Sequence, residues 1–315
     1  MTEFDLIRRL MPLLPTNDFV VVGAGDDCAV LELGASDTQT LFKADAVVEG
    51  VHFAADADPV RVGHKALARS LSDVAAMGGT PTAALVTLAL PAGFDPDRVL
   101  GFYRGMQRLA VRHQVALVGG ETTASPGGLL LNVAVLGTVP RGRALLRTGA
   151  QAGDAVFVTG ELGGSIEGHH LDFEPRLAEG RWLASSGLVH AMMDLSDGLA
   201  SDLPKLLEAG GGLGAEIRKG SLPIRRAARL RERQGDLAKP AALAALTDGE
   251  DFELLLTTAP GDAVRLLDEW KRAFPGVRLT CIGRLTANRG VFLTGPTGRR
   301  PMPVSGYEHF GPGPN

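Results

Sequence analysis

The sequence predicts a mixed α/β (α+β) protein of two domains, and three observations carry that expectation. The chain has 315 residues, 45% of them hydrophobic, enough for two cores of ordinary size. In its first half, short Val/Leu-rich runs alternate with stretches of helical period. At 138–143 the text becomes TVPRGR, with Pro and Gly between charged residues, as in a connector. The boundary is placed there, giving an N-terminal domain of residues 1–138 and a C-terminal domain of residues 139–315.

Phe19 to Val22, Leu41 to Phe42, Ala83 to Leu90, Val115 to Val118 and Leu129 to Val135 have the length and composition of strands. Val60 to Ala76 places Val62, Ala66, Leu67, Leu71, Val74 and Ala75 at helical spacing. Asp97 to Gln114 does likewise, with Asp95 or Asp97 as N-terminal charge. The second half opens on a strand in GDAVFVTG (153–160). Leu177 to Leu207 reads as mostly helical, interrupted at SDG (196–198). Later strands are expected at Leu254 to Thr257, Leu279 to Ile282 and Val291 to Leu293. Gly210, Gly211, Gly212 and Gly214 read as a flexible joint.

Acidic residues number 36 against 32 basic ones, a net charge of −4, and no Lys/Arg block marks a nucleic-acid or membrane-surface footprint. Arg225 and Arg226, and RERQ at 231–234, read as solvated helix faces. The opening MTEFDLIRRLMPLLP has acids among its first residues and no long apolar core, unlike a signal or transit peptide. The most apolar stretches are far shorter than a membrane span. Cys28 and Cys281 fit reduced core thiols better than a disulfide framework. The expected compartment is the cytoplasm, with no nucleic-acid or membrane partner.

Acids stand where apolar runs stop or Gly-rich turns begin: Asp26 and Asp27, Asp45, Asp73, Glu121, Asp194 and Asp197, Glu250 and Asp251. Singly, each reads as a helix cap or turn residue. Jointly they suggest oxygen ligands for Mg²⁺, which binds a few carboxylates and completes its shell with water and substrate phosphates. The chain has no GxxxxGK[ST] loop and no protein-kinase HRD or DFG signature. Phosphate must then be held another way, and metal ions anchored by these carboxylates are the natural candidate.

GAGDDCAV (23–30), DAVVEGVHF (45–53), KALARSLSDVAAMGGTP (65–81), GGETT (119–123), RTGAQAGD (147–154), MDLSDGLASDL (193–203), DGEDFEL (248–254) and GYEHF (306–310) occur in that order. Together they resemble the thiamine-monophosphate kinase family of the aminoimidazole-ribonucleotide-synthetase-like superfamily. The resemblance implies two α/β domains around a cleft and a homodimer whose N-terminal domains share a β-barrel. It implies transfer of the γ-phosphoryl group of ATP to thiamine monophosphate, with several Mg²⁺ ions. Asp27, Asp45, Asp73, Asp194 and Asp197 match metal ligands, and Glu121 stands where the family has a ligating Asp. Gly120, Glu121, Arg147 and Ser196 match nucleotide contacts. His52, Glu250 and Tyr307 match positions that bind thiamine monophosphate. Asp26 has a weaker claim and reads as structural.

Four departures from the family pattern stand out. Lys43 and Ala44 replace hydroxyl residues before Asp45, removing a ligand and adding an ammonium, so fewer metals are expected. Glu121 replaces Asp, Ser70 replaces Asn, and Asp248 replaces Gly, adding negative charge beside the substrate pocket. Two alternatives stay open: the same ATP site serving a different acceptor, and a nucleotide- or thiamine-phosphate-binding protein without turnover.

Overall fold

The computed structural model describes residues 3–34, 37–235, 239–296 and 298–303. After α1 (Glu3–Leu10), the first sheet is built from β1 (Val20–Val22), β2 (Ala29–Leu31), β3 (Thr38–Val48), β4 (Thr80–Pro91), β5 (Ala116–Ser125) and β6 (Leu130–Pro140), in the order β1-β2-β3-β6-β4-β5. Neighbours are antiparallel except β4 and β5, which run parallel. α2 (Pro59–Ala76) and α3 (Pro96–His113) carry the apolar residues of one face. Each begins as its sequence dictates: Asp58 accepts the Val60 N–H at 2.8 Å, Asp95 accepts the Asp97 N–H at 2.9 Å, and a Pro opens the first turn.

Alternation along β3 turns Leu41, Lys43, Asp45 and Val47 toward α2 and Phe42 away from it. Lys43 and Asp45 therefore lie beneath the helix. The far face of the sheet leaves Phe42, Leu85, Val118 and Leu136 exposed, at 46%, 47%, 61% and 40%. β5 also lies at the edge of this sheet, exposed at eight of its ten positions.

The second sheet comprises β7 (Ala155–Thr159), β8 (Val189–Asp194), β9 (Gly214–Arg218), β10 (Leu254–Thr258), β11 (Leu279–Thr286), β12 (Gly290–Gly295) and β13 (Gly298–Pro301), in the order β13-β12-β9-β11-β7-β10-β8. Here β9 and β12 are the parallel pair. β7 and β10 are buried along their whole length because both faces of the sheet are covered. α4 (His169–Asp172) and α5 (Leu177–Ser186) follow β7, and α6 (Leu199–Ala209) follows β8. α7 (Arg226–Arg233) and α8 (Ala241–Thr247) precede β10, and α9 (Ala263–Ala273) follows it. Val156 and Val158 join a core with α6 and α8, while Ala155 and Phe157 join another with Leu183 of α5 and with Leu266 and Trp270 of α9.

α2 lies between the two halves. Phe173, Leu177 and Phe252 of the second half enter the core built on α2. Gly180 of α5 lets the helices approach: a Cβ there would stand 2.0 Å from the Ala75 carbonyl oxygen. Arg61 and Asp172 close the same seam with an ion pair at 2.6 Å.

Three expectations are corrected. The span Leu177 to Leu207 is two helices separated by strand β8, because VHAMMD is a buried run too short for periodicity to classify. The glycine cluster is a turn that runs directly into β9, and Gly214 itself pairs with Thr286 and Gly290. Arg225 is no solvated-face residue: it is 11% exposed and its Nη1 lies 2.9 Å from the buried Asp251 carboxylate. Both cysteines are free thiols. Among the described residues, no helix is long and apolar enough to cross a membrane.

Candidate active site

α2 carries Lys65, Arg69, Ser72 and Asp73 at spacings that place them on one side of the helix. This side faces the second half rather than water, so each charge needs a partner. Lys65 is wholly buried; its Nζ lies 2.6 Å from Glu250 Oε2 and also donates to the His52 carbonyl. Burial pulls this ammonium down to about 8, against the opposing charge of Glu250. Ser72 donates to Asp194 Oδ2 at 2.6 Å, joining α2 to the end of β8.

Asp73 meets Asp27, from the turn between β1 and β2, and Asp194, from the C-terminal end of β8. One carboxylate oxygen from each lies within 4.8 Å of the others, and all three residues are buried. Burial, and then the charge of Asp27, raises Asp194 to about 7. Burial raises Asp73 as well, reinforced by Asp45 and Asp194 and opposed by Lys43.

Two cations touch this group. Arg147 Nη2 donates to Asp27 Oδ1 at 2.5 Å, and Lys43 Nζ lies 3.2 Å from Asp73 and 3.7 Å from Asp45. Burial opposes the charge on Lys43, but Asp73 and Asp45 prevail and hold it protonated. Asp45 hydrogen-bonds Asp73; burial raises its pKa, yet Lys43 and this hydrogen bond bring it below the ordinary carboxylate value. Asp27 Oδ2 is buried with no hydrogen-bond partner among the described residues. A hard-oxygen triad with an unsatisfied oxygen fits a divalent cation such as Mg²⁺.

The remaining sequence candidates fall in different places. Asp197 is outside the triad: Lys205 Nζ lies 2.5 Å from its carboxylate and 2.8 Å from Asp202, and the Asp197 N–H donates to Asp202 at 2.9 Å. Glu121 is exposed on β5, where its Oε1 accepts the Thr122 N–H at 3.1 Å, and it is not one of the three clustered acids. Gly120, at φ 150°, packs against β4, where a Cβ would lie 1.8 Å from the Val86 oxygen. Asp26 accepts the backbone N–H of Asp27 at 2.9 Å and of Arg147 at 3.1 Å. Tyr307 lies outside the described residues.

Ser196 and Glu250 are adjacent, with the Glu250 N–H donating to the Ser196 carbonyl at 2.6 Å. Glu250 (φ 62°) and Phe252 (φ 49°) both occupy the left-handed region, and such backbone strain concentrates at functional loops. His52 accepts the Val48 N–H through Nδ1 at 3.0 Å. The negative charge expected from Asp248 beside the substrate pocket is neutralised: Lys239 contacts it, Arg231 lies 3.6 Å away, and the Gly164 N–H donates to it at 2.7 Å. Ser70 donates to the Val133 carbonyl at 3.1 Å inside the core.

Sequence reasoning passed over Lys65, Arg69, Ser72 and Lys205. For Lys65 and Arg69 the available signal was a cation falling on the buried side of a helix whose other side packs on the sheet. Lys205 stood three residues after Asp202, one helical turn away.

Residues 25–139 match the model for the N-terminal domain of AIR synthase related proteins, and residues 151–295 match that for the C-terminal domain. A thiamine-monophosphate kinase of Rhodopirellula baltica is 39% identical over 282 residues, covering 87% of this chain and 86% of the relative. That of Bacillus subtilis is 34% identical, with 98% and 100% covered. The solved structure of AaThiL complexed with AMPPCP and TMP superposes with a TM-score of 0.82 at 30% identity, covering 98% of this chain and 97% of that one. E. coli HypE, a hydrogenase maturation protein at 22% identity and a TM-score of 0.73, shares the fold.

Proposed function

Because this chain belongs to the AIR synthase related family and aligns over nearly its whole length with thiamine-monophosphate kinases, we propose that it phosphorylates thiamine monophosphate. ATP is the phosphoryl donor and thiamine diphosphate the product, in keeping with the AMPPCP and TMP bound by AaThiL. The observation that carries this reading is the buried meeting of Asp27, Asp73 and Asp194 from both halves of the chain.

The acceptor needs no strong base. A phosphate monoester loses its second proton near pH ~6, so the attacking oxygen is already anionic at neutral pH. The chain's task is to bring two polyanions together and hold them in line. Asp27, Asp73 and Asp194 would hold Mg²⁺, with Asp45 and Asp197 as further ligands and Glu121 as another. Bound there, the metal neutralises phosphate charge and orients the transferred group.

Arg147, anchored on Asp27, is positioned to reach the ATP phosphates through its remaining donors. Gly120 and Ser196, with Glu121, complete the nucleotide contacts we assign. His52, Glu250 and Tyr307 receive the thiamine part. Lys65 fixes two of these at once, through the Glu250 carboxylate and the His52 carbonyl. Residues 1–138 would supply the metal and nucleotide side and residues 139–315 would complete the cleft. The exposed apolar face of the first sheet and its open β5 edge support a homodimer closed through N-terminal domains. The cytoplasm is the compartment we assign.

Purified protein given ATP, Mg²⁺ and thiamine monophosphate is expected to form thiamine diphosphate and ADP, read by chromatography. Absence of product across Mg²⁺ and Mn²⁺ concentrations refutes the assignment.

A further inference from the structure

Arg69 is a buried cation that none of the roles above employs. Its side chain is 14% exposed, and its Nε and Nη1 are buried without a hydrogen-bond partner among the described residues. Glu250 Oε1 is 3.9 Å from Nη1, beyond hydrogen-bond reach, while Oε2 of the same group is taken by Lys65 at 2.6 Å. The guanidinium also lies 5.9 Å from the Phe252 ring centroid. Its charge also reaches Asp45, whose carboxylate it helps keep ionised.

This places unsatisfied donors between the carboxylate triad and the Glu250 loop. Leaving such donors dry is unfavourable, and a ligand oxygen would relieve it. A guanidinium fork matches phosphate in geometry and keeps its charge at every working pH. Lys43, bound to Asp73 and Asp45, is a second fixed cation beside the triad.

We propose that Arg69, assisted by Lys43, binds the phosphate of the acceptor, so that the site selects a phosphorylated thiamine over thiamine itself. This rests on the kinase reading above. Within it, a charge built into α2 offsets repulsion between acceptor and ATP phosphates. The same charge reduces the number of metal ions the reaction needs.

The test compares thiamine monophosphate with thiamine by calorimetry on the full chain, as wild type, Arg69→Met and Arg69→Lys. The wild type is expected to prefer the phosphorylated ligand. Arg69→Met should lose about 10- to 100-fold in affinity for thiamine monophosphate, the range for hydrogen bonds to a charged group. Its affinity for thiamine and its KM for ATP should stay within about twofold, and Arg69→Lys should recover part of the loss. Thermal melts of each variant report folding. A wild type that binds both ligands alike, an equal loss for both in Arg69→Met, or a loss confined to ATP overturns the proposal. These outcomes are read by binding and are separate from absence of product with wild type, which instead sinks the kinase reading.

Discussion

Divalent-cation binding should be coupled to proton release, and Asp194 sets the scale. With a pKa raised to about 7, this carboxylate is protonated over ionised by about tenfold at pH 6 and the reverse at pH 8. A cation must displace that proton before Asp194 can ligate it. Mg²⁺ affinity should therefore fall at least about tenfold between pH 8 and pH 6, because Asp73 is raised too and adds to the effect. Calorimetry in two buffers of different ionisation enthalpy counts the protons, with about one released per ion at pH 6. Asp194→Asn should bind Mg²⁺ weakly and with a shallower pH dependence. Without metal, the folded chain holds a proton between pH ~4 and ~7 that the unfolded chain has released, so stability should decline as pH rises through that window. Mg²⁺ affinity constant from pH 6 to pH 8 in the wild type would refute the reasoning.

Arg225→Met leaves the buried Asp251 carboxylate with only the Gly163 N–H at 3.0 Å among its described partners. Breaking such a pair is expected to lower stability by about 3 kcal/mol in urea titrations; a change below 1 kcal/mol would show that the pair contributes little. Leu85→Glu places a charge on the exposed apolar face of the first sheet, where Leu85 is 47% accessible. Light scattering should show the proposed dimer shifting to monomer with the far-UV spectrum retained, and an unchanged mass would remove this face from the interface.

The fold was largely legible where one periodicity ran uninterrupted. α2 and α3 lie within a residue or so of their expected spans, since caps and Pro marked their starts. Strand β8 was hidden because a six-residue buried run has no period to betray it, and β9 because its first residue is the last of the glycines. At the site, Asp27, Asp73 and Asp194 converge from strings far apart in sequence. Asp197 could not be told from them by its motif, since what sets it apart from the triad is Lys205 on the following helix, which takes its carboxylate. Arg69 was invisible for a related reason: its significance lies in the hydrogen bonds it fails to make, and a string of letters records only the donor.

Asp27 and Asp73 come from the first half of the chain and Asp194 from the second, with Ser72 hydrogen-bonded across the seam. The proposed catalytic centre and the mechanical joint of the molecule are thus the same few side chains. An ion seated there would rivet the two lobes against their own electrostatic recoil, and its departure with the products would unfasten them. Turnover and breathing of the cleft would then share one clasp.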